Sequence, residues 1–135
     1  MTRQTRSTST NRGTDPGEVS IETVLLIPAV MFIVLLAVQA AIQLHGVTMA
    51  EHISTQGALA AARYGAGPND GTRAAEGAAG SVGARLARSP HVVATAQSVT
   101  VEVSIRVPRA LPLFPDTISR TTSMPKERFV LYGER

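Results

Sequence analysis

The sequence predicts an α+β protein: a long N-terminal helix, a second short helix and a small antiparallel β-sheet. Three observations predict it. An unbroken apolar run fills residues 24–42, helical periodicity continues beyond it to Tyr64, and a strict two-residue alternation fills residues 98–107.

The chain begins with a polar stretch, residues 1–17, rich in Thr, Ser and Arg and without apolar periodicity. Such a segment has too little apolar surface to offset the entropy of ordering, and is expected to be disordered. The run at residues 24–42 reads VLLIPAVMFIVLLAVQAAI, and no charged residue occurs between Glu22 and Glu51. At 1.5 Å per residue it covers roughly 28 Å, close to the ~30 Å hydrocarbon core of a bilayer. It is apolar on every face, as a lipid-exposed helix must be. A domain this small has little material with which to cover such a helix as a buried core.

Beyond the run, His45, Thr48, His52 and Thr55 recur at steps of three and four, and Met49, Ile53, Gly57 and Ala60 follow the same rhythm on another face. That pattern extends the helix from about Ser20 to Tyr64 as an amphipathic rod. Stop signals then cluster at Arg63, Gly65 and Pro68. Pro28 lies early in the span and removes one backbone donor, so a kink is expected there.

Residues 72–88 predict a second helix. Thr72 or Asp70 supplies a cap, Glu76 is early, Arg85 and Arg88 are late, and Ala75, Ala79, Val82 and Leu86 make a modest apolar stripe. Gly77, Gly80 and Gly83 each cost about 1 kcal/mol relative to Ala in a helix interior, so this helix depends on tertiary support. Ser89-Pro90 closes it. In residues 98–107, Val99, Val101, Val103, Ile105 and Val107 alternate with polar residues, a strand with one apolar face. Residues 92–96 are a partner strand, 117–124 a third and 129–132 a short terminal one. Pro108, Pro112 and Pro115 make 108–116 a rigid loop. Its apolar residues 112–115 suit either contact with a partner or capping of a small core.

Composition excludes several functions. The chain has no cysteine, hence no disulfide and no thiolate metal site. His45 and His52 are seven apart, too far for an i, i+4 metal pair, and His52 follows Glu51 without a second histidine four residues on. Both read as polar positions near a membrane surface. No phosphate loop, nucleophile elbow or set of metal-spaced carboxylates is present, so neither an enzyme, a cofactor nor a small-molecule substrate is expected. The formal charge of +3 is carried by scattered arginines without interleaved aromatics. No nucleic acid is expected as a partner.

The most informative local pattern is Gly17-Glu18-Val19-Ser20-Ile21-Glu22-Thr23. A polar leader carrying Arg3, Arg6 and Arg12 precedes it, and the apolar run follows. This resembles the type III signal of type IV pilins and pseudopilins. Glycine admits an extended backbone into a protease cleft, and the arginines favour the cytoplasmic side. The resemblance implies that prepilin peptidase cuts between Gly17 and Glu18, leaving the apolar helix in the mature protein. It also implies an assembly role for Glu22, whose carboxylate is costly against lipid unless paired. The implied partner is the new α-amino group of Glu18 in a neighbouring subunit.

From Gly17 to about Tyr64 the chain resembles the TadE-like proteins of tight-adherence (Flp-type) pilus systems, of the actinobacterial kind. The leader boundary, Glu22, Pro28, the apolar run and the ending Ala60-Ala61-Ala62-Arg63-Tyr64-Gly65 carry that resemblance. The closing residues 125–129 are compatible with it. It implies a minor pilin or pseudopilin that helps pilus assembly, with pilin subunits, a platform protein and the lipid bilayer as partners. Thr23 replaces the aromatic usual in major Flp pilins, Glu18 is an acidic first residue, and the chain is longer than a typical Flp subunit. These departures favour an accessory component over the main filament subunit. The expected organisation is a cytoplasmic leader at 1–17, a transmembrane helix at 18–42 and an extracytoplasmic domain at 43–135.

Two other readings remain open. One is a signal-anchored envelope protein unrelated to pili. The other is a small secreted binding domain released by signal peptidase at Val38-Gln39-Ala40. Against the latter, the apolar run exceeds the usual 7–15 residues and two glutamates precede it where positive charge is expected.

Overall fold

The computed structural model describes residues 16–127, with side chains from Thr23 onward. The leader up to residue 15 and the expected strand at 129–132 lie outside the described residues. The architecture is α+β, in the order α1 (Pro16–Ala62), α2 (Pro68–Ser81), β1 (Arg85–Leu86), β2 (His91–Ala94), β3 (Ser98–Arg106) and β4 (Thr117–Pro125). Two compact units divide the chain, Met1–Leu36 and Ala37–Arg135. The second thus starts six residues before the boundary drawn from the sequence, and takes in the end of the apolar run.

Helix α1 begins at Pro16, four residues earlier than expected, and passes through Pro28 without a break in helical structure. Proline is well placed at a first helical position, where its missing N–H has no intrahelical acceptor to lose. The helix ends at Ala62, so Arg63 and Tyr64 stand just beyond it. Gly65 takes the left-handed conformation (φ 77°) expected of it. The carbonyl of Ala62, one of those a helix end leaves without a partner, accepts the N–H of Glu127 at 2.9 Å.

Helix α2 departs most from the sequence reading. It occupies Pro68–Ser81, not 72–88. Pro68, expected only as a stop for α1, also starts α2. The N-cap is Gly67, whose N–H donates to the Asp70 carboxylate at 3.0 Å. Asp70 therefore reaches back to the cap from the third helical position, as one half of a capping box. At the other end Gly83 adopts φ 66°. The N–H of Gly83 reaches the Gly80 carbonyl at 3.2 Å and that of Ala84 reaches Ala79 at 2.9 Å. These two bonds form a Schellman motif. Gly83 is thus the helix terminator, and Arg85 and Leu86 fall into β1. Ala75 and Ala79 are buried as expected, whereas Val82 is exposed.

Strand β3 is the centre of the sheet. It pairs antiparallel with β4 from Ser98↔Pro125 to Arg106↔Thr117, and along its other edge with β2 and then β1. Pro90 lies between β1 and β2, where the ladder on that edge is interrupted; a residue without an N–H cannot donate to it. The β2–β3 turn is held by Thr95, whose hydroxyl accepts from the N–H of Ser98 at 3.0 Å.

Within the second unit, the C-terminal part of α1 lies along the apolar face of the β3–β4 hairpin. Val99, Val101, Val103, Ile105 and Val107 are all buried there, as the alternation predicts. The helix meets them with small side chains: Gly46, Ala50, Gly57, Ala58, Ala61 and Ala62 are buried, with Ile53 as the one large residue. The buried stripe is rotated from the expected one: Met49 and Ala60 are only half-buried. Glycine is required where the helix backbones meet their neighbours most closely. A Cβ on Gly46 would stand 2.5 Å from Val107 Cγ1 and 2.7 Å from Ile118 Cδ1. One on Gly71 of α2 would stand 2.8 Å from Ala61 Cβ and 3.0 Å from the Gly57 carbonyl oxygen. Both approaches are too close for any larger residue.

Candidate functional site

The first candidate region is the apolar part of α1. Among the described residues this is the one helix long and apolar enough to cross a membrane. Only 6% of its most apolar 18-residue window is buried, which separates it from the core helix of a soluble domain. Val24, Leu25, Leu26, Ile27, Met31 and Ile33 are all more than half exposed. A surface of this extent is not stable in water and matches hydrocarbon in length and chemistry. The chain therefore carries one candidate single membrane span near its N-terminus.

The residues singled out from the sequence, Gly17, Glu18 and Glu22, fall in the first two turns of α1. The Gly17–Glu18 bond is helical there. A protease acting on it must unwind only the terminal turn, the part of a helix that frays most readily. Glu18 is the third residue of the helix.

The second region is the C-terminal end of the apolar run, where two glutamines tie it to the loop between β3 and β4. Gln39 is 0% exposed, and its Oε1 accepts the N–H of Ala110 at 2.7 Å. Gln43, one turn later, donates from Nε2 to the Pro115 carbonyl at 2.8 Å. Both contacts go to the loop between β3 and β4. The loop is closed at its base by Val107 N–H donating to the Asp116 carbonyl at 2.9 Å. Within it, Leu111 and Phe114 are half-buried, while Leu113 is 85% exposed. The loop therefore caps the domain and leaves one large apolar side chain outside.

Sequence reasoning passed over Gln39 and Gln43 as site residues. The available signal was two amides four residues apart, on one helix face, at the end of a run where an unpaired polar group is costly. The Nε2 of Gln39 is buried without a hydrogen-bond partner, so its contact with the loop runs through the Oε1 acceptor.

Beside this junction lies an open groove of about 290 Å3 lined by Ile42, His45, Gly46, Met49, Arg85 and Arg106 among others. Arg85 and Arg106 are directly paired positions of β1 and β3. Like charges there are unfavourable unless solvent or an anion intervenes. His45, His52 and His91 are separately exposed, and no group of three His, Cys, Asp or Glu side chains converges among the described residues.

No family model matches this chain, and no curated protein or solved structure is detectably similar to it.

Proposed function

We propose that the chain is a TadE-like minor pilin or pseudopilin that contributes to assembly of a tight-adherence (Flp-type) pilus. One observation carries the proposal. A single helix begins at the Gly17–Glu22 pattern, exposes an apolar surface of bilayer length, and continues as the spine of a small α+β domain. A protein built this way is held in the membrane by the same element that organises its domain. In this reading the leader stays in the cytoplasm with Arg3, Arg6 and Arg12. Prepilin peptidase cuts after Gly17, and the domain stands outside the membrane. Glu22 then sets the register against the amine of a neighbouring subunit, and the role is structural rather than catalytic.

The connection of Gln39 to Ala110 bears on the rival cut by signal peptidase. Cleavage at 38–40 would remove or expose a fully buried residue that holds the β3–β4 loop. Retention of the helix is the reading this contact supports. A signal-anchored protein without pilus association shares the same anchor and differs in processing.

Sequencing the mature N-terminus from a native host tests the proposal. Glu18 is expected; a start near Ala41 overturns it, and an uncut chain assigns the plain anchor. Glu22→Ala is expected to insert normally yet lose co-purification with other pilus components. Unchanged co-purification would remove the register role.

A further inference from the structure

The loop between β3 and β4 has the properties of a second membrane contact. It is pinned to α1 at Gln39 and Gln43, the last turn of the apolar run and the residue just past it. Gln39, the residue that holds Ala110, lies about 4.5 Å inside the end of the run at Ile42. Leu113, in the same short loop, is the most exposed large apolar side chain among the described residues. Pro108, Pro112 and Pro115 bring no N–H groups. This matters because irregular backbone near hydrocarbon is costly chiefly through its unpaired polar groups. Two of the loop's polar groups, Ala110 N–H and the Pro115 carbonyl, are already satisfied by the glutamines. Phe114 N–H bonds within the loop to the Leu111 carbonyl at 3.2 Å.

The charges around the loop fit the same surroundings. Arg106 and Arg109 flank its start, and Arg85 is the cross-strand partner of Arg106. All three are exposed, and none forms an ion pair among the described residues. Asp116 is the one acidic group in the loop, and it accepts a hydrogen bond from the Thr117 hydroxyl at 3.3 Å. Cationic side chains set beside an apolar tip match the phosphate layer above the acyl chains.

We propose that residues 108–116 form an interfacial wedge. Leu113 enters the headgroup–acyl boundary of the leaflet nearest the domain, and Arg85, Arg106 and Arg109 meet anionic lipid phosphates. The occupant of this surface is lipid, because the loop is bonded at Gln39 and Gln43 to the stretch of helix that exposes the apolar Val38 and Leu44. The wedge fixes how the domain is held over the bilayer. It rests on the reading of α1 as a membrane span.

The absence of cysteine makes a direct test simple. Single cysteines replace Leu113, Met31 in the span, or exposed Glu76 on α2. Each is spin-labelled in the full chain, in vesicles of phosphatidylcholine with phosphatidylglycerol. The labels at 113 and 31 are expected to collide with oxygen in preference to a water-soluble nickel complex, and the label at 76 the reverse. A label at 113 that behaves like 76, while 31 is in lipid, overturns the wedge. A label at 31 in water overturns the span reading itself. Spin–spin broadening at 113 that disappears on dilution with unlabelled chain would assign the loop to a second copy and also overturn it. Replacing phosphatidylglycerol by phosphatidylcholine is expected to reduce the oxygen preference at 113 and leave 31 unchanged. Equal immersion in both lipids removes the arginine contact from the proposal.

Discussion

The two parts of α1 are the same secondary structure made from opposite materials. Residues 24–36 carry Val, Leu, Ile, Met and Phe on every face, nearly all exposed. From Gly46 to Ala62 the buried face is Gly, Ala and Ser with a single Ile, and it is set close against a valine-rich strand. Large side chains suit a fluid surrounding that conforms to them. Small ones suit a rigid partner, because dispersion contacts with a fixed β-sheet require close approach of the backbones. Helical structure by itself is neutral between the two; side-chain volume on each face decides which surroundings a stretch can tolerate.

Substitutions that interchange the two kinds of surface probe this contrast. The largest effect is expected at Ile53, fully buried on the sheet-facing stripe. Ile53→Ala is expected to destabilise the domain by about 2–5 kcal/mol, since the cavity adds to the lost burial. Denaturant unfolding of the full chain in detergent micelles measures it. Ile33→Arg is expected to oppose insertion by about 2.5–3.5 kcal/mol, read as the fraction of glycosylated or membrane-integrated chain in an insertion assay. The same change should leave domain unfolding unaltered; a shared loss would mean that the two stretches are energetically one unit.

Next in size is Gly46→Val, which places methyl groups where Val107 and Ile118 already lie. Overpacking of this kind costs about 1–3 kcal/mol, and the fall in unfolding midpoint reports it. The smallest effect is expected for Phe32→Ala. Phe32 is a large side chain, but it is exposed on the lipid-type surface. A change in domain stability within about 0.5 kcal/mol is expected. A loss comparable to that of Ile53→Ala would show that Phe32 is packed against protein, and the contrast would fail.

Much of this architecture was legible before any coordinates. The alternation from Val99 to Val107 marked the buried face of β3 because a strand has period two and one face must be dry. The apolar run marked α1 because nineteen residues without charge have few other uses. Misreadings gathered where a glycine changed role. By composition Gly83 reads as a weak interior residue of α2, yet its left-handed φ closes a Schellman motif and releases Arg85 into the sheet. Composition alone does not distinguish a glycine tolerated inside a helix from one that ends it. Gly17, Glu18 and Glu22 are local signals and lie together at the start of α1. Gln39 and Gln43 reach partners 71 and 72 residues away, and no local pattern names those partners.

The sequence by itself determined the α+β class, the bilayer-length helix, the buried face of the central strand and the turn at Gly65. Each follows from periodicity or from the conformational range of one residue type. Tertiary structure alone decided how far α1 belongs to the domain and which loop rests against the end of the apolar run. Those outcomes depend on close approach at Gly46, Gly57 and Gly71 and on amide bonds between distant segments. Such contacts are set when the chain closes on itself, and a local pattern that marks one partner does not name the other.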